Sequence, residues 1–173
     1  MTTSVDLSTG LQDWIRAAGL DLIQGSQAND GRTIIWNKGG KIRYFISVAD
    51  GHYVITSSDR MGAEGFHFGT LTIGLIERYL YGRFGGFVCK LRGLPRVQKP
   101  FMRDELKQGY GLGKVFFAGD ERDSLIDPAG SAVAIAADDR LVEFSHYADV
   151  RIDTITRSFL DPAGRPLFAP LAD

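Results

Sequence analysis

Apolar and polar positions alternate most regularly between Thr33 and Arg60, in the run TIIWNKGGKIRYFISVADGHYVITSSDR. Thr33–Trp36, Ile42–Val48 and Tyr53–Thr56 consist largely of β-branched and aromatic residues, which suit a pleated, half-buried surface. In the middle run Ile42, Tyr44, Ile46 and Val48 share one face, and Arg43, Phe45 and Ser47 share the other. One face is therefore apolar and the other mixed. Lys38-Gly39-Gly40 and Asp50-Gly51 separate the runs with residues that tolerate positive φ, as short hairpin turns require. The pattern predicts an antiparallel three-stranded meander with its apolar face on a core.

Outside the meander the period changes. Leu7, Leu11, Trp14, Ile15 and Ala18 recur at helical spacing, with Ser4 or Ser8 placed to cap the start and Gly19 to close the end. Leu20–Ile23 reads as a short edge strand and Gly25–Arg32 as a loop. Ser57–Gly69 loses all periodicity, carries glycines at 62, 65 and 69, and reads as a surface loop. Leu71, Leu75, Ile76, Tyr79, Leu80 and Phe84 predict a helix over Thr70–Phe84, stopped by Gly85-Gly86. Phe87–Arg96 admits a strand that ends in a turn at Gly93–Pro95, and a short helix is expected around Arg103–Lys107. Val115–Ala118, Ser124–Ile126, Ser131–Ala137 and Leu141–Ser145 read as strands, with turns at Asp127–Gly130 and Asp138–Arg140. A last helix over Ala148–Phe159 ends before Asp161-Pro162, and the tail is extended and rests on Leu167 and Phe168. Ala49–Val54 and Ala137–Val142 are weakly alike, which raises the question of an internal repeat. The elements predict an α+β fold in a single domain over 1–173: a mainly antiparallel sheet of about six to eight strands flanked by about three helices.

Composition narrows the function. The chain has 173 residues, 44% of them hydrophobic and 24% charged, enough to bury a core and inconsistent with global disorder. A net charge of −1 gives no overall pull toward nucleic acid or an anionic membrane. Cys89 is the only cysteine, so no internal disulfide can form, which fits a reducing compartment. MTTSVDLSTG does not read as a secretory signal, and no apolar run approaches the roughly 18 residues of a membrane span, so a cytoplasmic protein is expected. Charge is unevenly spread: Arg78–Arg103 is cationic, and Asp120–Asp153 is mostly acidic.

Candidate chemistry is sparse. Gly109-Tyr-Gly111-Leu-Gly113-Lys114 looks like a phosphate cradle, but an apolar strand-like run follows it instead of a helix, so a connector is expected. His52, His67 and His146 have no partners at metal-ligand spacing. Ser57, Ser58 and Asp59 could be joined to a histidine only by geometry that a sequence does not carry, and no G-x-S-x-G elbow is present. Cys89 beside Lys90 reads as an inert buried thiol. No enzyme, metal or cofactor is predicted. Arg78, Arg83, Lys90, Arg92, Arg96, Lys99 and Arg103, interleaved with aromatic residues, leave open a small-ligand or nucleic-acid-binding domain acting through Arg78–Arg103.

WNKGGKIRYF, VADGHYVITSSDRMG, IERYLYGRFGG, GLPRV and DPAGRPLF resemble segments of the toxin-immunity family that includes the immunity factor of the tuberculosis necrotizing toxin. The similarity runs from about Leu11 to Phe168. It implies a cytosolic antitoxin without catalysis of its own, which binds the catalytic domain of an NAD(+)-glycohydrolase toxin and blocks its active site. The family resemblance does not assign contact residues. A cleft that accepts an anionic dinucleotide favours cations, so basic or flexible turns are suitable plugs. Lys38, Lys41 and Arg43 at the first hairpin and Asp59, Arg60 and Met61 in the following loop are the expected toxin-binding residues. If the meander is antiparallel, both turns lie at one end of the sheet, opposite Asp50-Gly51. An Asp59–Arg60 ion pair closing the loop is the competing expectation.

Overall fold

The computed structural model describes residues 4–171. Its centre is an eight-stranded sheet, antiparallel at every pairing, with strand order β1-β2-β3-β4-β5-β9-β8-β7. The strands are β1 (Asp21–Ile23), β2 (Thr33–Trp36), β3 (Ile42–Ala49), β4 (His52–Asp59), β5 (Gly65–Thr70), β7 (Gly111–Phe117), β8 (Asp120–Ile126) and β9 (Ala132–Ile135). Two short strands, β6 (Val97–Gln98) and β10 (Ala169–Pro170), pair with each other away from the main sheet. The described residues form four α-helices besides: α1 (Thr9–Ala17), α2 (Ile73–Leu91), α3 (Asp138–Ser145) and α4 (Ile152–Leu160). The α+β class and the antiparallel sheet are as expected, with four helices where three were anticipated.

The predicted antiparallel meander forms, with Ile42 facing Asp59 and Ala49 facing His52. Asp50 (φ 51°) and Gly51 (φ 75°) supply the two positive-φ residues of its tight turn. The predicted alternation holds only in the middle of β3. Tyr44 and Ile46 are buried in the main core with Ile35, Ile55, Phe68, Leu125 and Ala134, whereas Ile42 and Val48 at the strand ends are exposed. Leu11, Trp14 and Ile15 of α1, Leu141 and Phe144 of α3, and Ile155 and Phe159 of α4 join the same core, so the helices cover one face of the sheet. Among the described residues no helix covers the opposite face. It holds a second small cluster of Val54, Phe117 and Ile135 and, on β3, a Phe45 ring capped by Arg32 at 4.5 Å.

Several expectations are corrected. Ser57–Gly69 is mostly sheet: β4 continues to Asp59 and β5 begins at Gly65, with a bulge between Ile55 and Thr56 in their pairing. Glycines at 65 and 69 weaken the strand signal without preventing pairing. Leu141–Ser145 is the body of α3, because five residues of mixed pattern suit a short buried helix as well as a strand. That also removes the internal repeat: Asp50-Gly51 is a hairpin turn, and Asp138-Asp139 is the acidic first turn of a helix. The last helix begins at Ile152, four residues later than expected.

The largest correction is at α2, which runs through Gly85-Gly86 to Leu91, so that Phe87–Leu91 is helix and not strand. Packing explains the glycines. A Cβ at Gly82 would lie 2.6 Å from Cζ of Tyr147, and one at Gly85 would lie 2.5 Å from Cγ of Phe159. Both aromatic side chains are fully buried. Here glycine permits close approach of the α4 region to α2; it does not end the helix. Gly86 points into open space.

Candidate functional site

The turn between β2 and β3 and the turn between β4 and β5 lie side by side at one end of the sheet. Asn37 organises the first: its Oδ1 accepts from the Ile42 amide (2.9 Å), and its carbonyl accepts from Gly40 N (2.8 Å). Gly39 and Gly40 both have positive φ, which leaves the flanking Lys38 and Lys41 on an exposed tip. In the second turn Arg60 (φ 50°) and Met61 (φ 65°) occupy the left-handed region without being glycine. Gly62 N donates to Asp59 O (2.8 Å), and the Ser58 hydroxyl donates to Gly62 O (2.9 Å). One bond joins the two turns: Arg60 N donates to Lys41 O at 2.7 Å. The expected convergence of the two turns at one end, opposite Asp50-Gly51, is thus realised in the backbone.

The side chains divide into tip and support. Lys38, Lys41, Asp59, Arg60 and Met61 are all exposed, Met61 at 75%. Among the described residues none of these charged groups makes an ion pair, and the competing Asp59–Arg60 pair does not form. Arg43 differs. It is half-buried on the helix-free face, donates from Nη2 to the Ser58 hydroxyl (3.3 Å), lies 5.7 Å from the Phe45 ring, and its shielded Nε has no partner. Beside it Arg32 bridges Asp30 (2.8 Å) and Glu64 (2.7 Å), while Glu64 also accepts from Thr56 Oγ1 (2.6 Å). Burial opposes the charge on Glu64, but the Thr56 and Arg32 bonds outweigh it and hold the carboxyl below its ordinary range. The second turn is therefore braced from beneath through Glu64.

No catalytic constellation emerges among the described residues. Ser57 and Ser58 are consecutive strand residues and point to opposite faces, and no cluster of His, Cys, Asp and Glu could hold a metal ion. His67 is buried with Nε2 2.7 Å from the Tyr79 hydroxyl; burial, assisted by Arg140 and Arg83, pushes its pKa down to about 3. It is a neutral core residue. His52 packs edge-on against Phe117 (4.7 Å), and His146 bonds to the carbonyl of Glu105 (2.8 Å). Burial raises the Cys89 thiol, which donates to Phe159 O (3.0 Å). Gly111–Lys114 is the paired start of β7, not a connector or cradle.

The basic stretch from Arg78 to Arg103 is not one surface. Arg78 bonds to Val150 O (2.9 Å), Lys99 pairs with Glu143 (3.2 Å), Arg103 pairs with Asp138 (2.9 Å), and Arg92 lines a different groove with Asp13 and Trp14. Arg83, Lys90 and Arg96 instead converge on a cleft that sequence reading did not find. The signal was the spacing of Arg83 and Lys90, two helical turns apart, which the assumed stop at Gly85-Gly86 concealed.

The geometry is that of an α+β sheet covered by helices on one face, with two turns joined at one end of the sheet. The family model for Immunity protein 61 matches residues 14–167, and the chain belongs to that family. It is 58% identical over 168 residues to the protein named "Immunity factor for TNT" of Mycobacterium tuberculosis (strain ATCC 25618 / H37Rv), covering 97% of this chain and 96% of that one. The same figures hold for the "Immunity factor for TNT homolog" of Mycobacterium bovis (strain BCG / Pasteur 1173P2). A solved structure, Rv3902c from M. tuberculosis, superposes with a TM-score of 0.95 at 56% identity, covering 100% of this chain and 99% of that one.

Proposed function

We propose that this chain is a stoichiometric antitoxin: it binds the catalytic domain of an NAD(+)-glycohydrolase toxin and blocks its active site, acting in the cytoplasm without catalysis or cofactor. Family membership and the names of two relatives, each an immunity factor for TNT or its homolog, support an immunity role. The observation that carries the choice of surface is the joined pair of turns. Lys38, Lys41 and Arg60 protrude together without counter-ions among the described residues, with Met61 and Asp59 beside them. Such a tip suits a cleft that accepts an anionic dinucleotide: the cations meet a complementary field, and Met61 adds an adaptable apolar contact. Arg43 joins the interface where the toxin extends over the helix-free face. Nucleic acid is disfavoured, because the cations of Arg78–Arg103 are spread over several surfaces and partly neutralised.

The test is a titration of the purified chain into an NAD-consumption assay with the cognate toxin domain. Inhibition should be complete at one equivalent. Hydrolysis that persists at excess chain would refute the reading.

A further inference from the structure

The cleft formed by the second half of α2 and the loop after it has a volume of about 630 Å³. Its walls are Arg83, Gly86, Phe87, Lys90, Gly93, Leu94 and Arg96, so it combines three cations with an aromatic and an aliphatic side chain and no carboxylate. The volume falls in the range of small-ligand sites. Gly86, whose Cβ position is open space, keeps the α2 wall low, and Gly93 (φ 68°) turns the chain so that Leu94 N donates to Cys89 O (2.9 Å) and closes the other side. Phe87 is 43% exposed.

Arg83 makes the cleft more than a basic surface. Its half-buried guanidinium donates from both Nε and Nη2 to the Tyr44 hydroxyl (3.1 Å each) and lies 5.8 Å from the Tyr44 ring centroid. It has no carboxylate partner among the described residues. The nearby carboxylate of Glu143 is already engaged by Lys99 (3.2 Å) and the Tyr147 hydroxyl (2.7 Å). A half-desolvated guanidinium facing a cavity with two further unpaired cations is costly unless an anion completes it. The planar arginine guanidinium bonds two oxygens of a phosphate or carboxylate at once, and an exposed aromatic ring offers a stacking surface for a flat heterocycle.

We propose that this cleft is a binding site for a small nucleotide-class anion, with a diphosphate held among Arg83, Lys90 and Arg96 and its ring placed on Phe87 and Leu94. The site goes beyond the toxin reading and does not depend on it. Calorimetric titration of the full chain with adenosine diphosphate, inorganic pyrophosphate and adenosine tests it. The diphosphate should bind at one site, more weakly as salt rises. Pyrophosphate should bind less tightly, and adenosine least. Lys90→Glu with Arg96→Glu, both exposed and unpaired, should weaken adenosine diphosphate at least about tenfold without moving the thermal midpoint. Phe87→Ala should weaken adenosine diphosphate while sparing pyrophosphate. The proposal is overturned by absence of saturable adenosine diphosphate binding, by adenosine binding equally well, or by wild-type affinity in the double variant. Loss of toxin inhibition in the double variant, with no nucleotide binding by the wild type, would overturn it in favour of a protein contact.

Discussion

Gly85→Ala isolates the contact that sets the spacing between α2 and α4. The added Cβ would sit 2.5 Å from Cγ of Phe159, where ordinary contact begins near 3.4 Å. Phe159 cannot retreat freely. It is fully buried, its ring centroid is 4.6 Å from that of Phe168 and 6.3 Å from that of Trp14, and its carbonyl is held by the Cys89 thiol. Relief therefore requires α4 to move. Overpacking of this kind costs about 1–3 kcal/mol, with the upper end expected for a blocked ring. Alanine returns about 1 kcal/mol through helix propensity. The net loss is about 1–2 kcal/mol, or a fall of roughly 2–8 °C in Tm for a chain of this size. Gly86→Ala is the matched control: its Cβ meets nothing within 4 Å, so propensity alone should raise Tm by about 2–4 °C. Thermal melts of the two variants under one condition decide the matter. Equal stabilisation by both would show that α2 and α4 are not in the close contact described here.

Three further outcomes follow from the same geometry. Gly51→Val should cost about 1–3 kcal/mol through backbone strain alone, because φ is 75° and no atom lies within 4 Å of the new Cβ; an unchanged thermal midpoint would contradict this. Reversal of Lys41 and Arg60 together to glutamate should weaken toxin binding by more than about 2 kcal/mol while leaving the melt unaltered, since neither makes an ion pair among the described residues; wild-type affinity by calorimetry against an inactive toxin would move the interface elsewhere. His67 has a folded pKa near 3 against 6.5 when free, so the unfolded chain binds the extra proton between these values. Its neutral burial contributes stability above about pH 6.5 that is lost as pH falls toward 3, with a slope of up to about 1.4 kcal/mol per pH unit. Urea midpoints at pH 7 and pH 5 should therefore diverge in the native chain and less so in His67→Gln.

The meander was legible because its turns announce themselves: Gly39-Gly40 and Asp50-Gly51 interrupt β-branched runs at the right lengths. From that pairing alone the neighbourhood of Lys41 and Arg60 could be reasoned, and the 2.7 Å bond between them bears it out. β5 was illegible because Gly65, His67 and Gly69 dilute its β signal, while its pairing with β4 and β9 is supplied by tertiary context. Gly85-Gly86 looks like local punctuation in the sequence, whereas Gly85 serves a contact with Phe159, far away along the chain. The cleft was hidden for the same reason, since the assumed stop severed Arg83 from Lys90. Whether Lys38 or Arg60 touches a partner is a property of two surfaces, and one sequence carries only one of them.

The seam between β5 and β9 bears on how the sheet assembles. Every other pairing in the main sheet joins strands adjacent in the chain, so β1 to β5 and β7 to β9 can each zip locally. The seam rests on two residue pairs, Gly69 with Ile135 and Thr70 with Ala134, reinforced by the Thr70 hydroxyl on Val133 O. It closes a loop of more than sixty residues that contains α2, and that closure entropy must be met before the pairing contributes anything. In refolding with pulsed deuterium labelling, amides within the two halves should gain protection before those that bond across the seam between Gly69–Thr70 and Ala134–Ile135. The same amides should exchange by partial opening in the native protein, dividing the sheet into two cooperative units along one line.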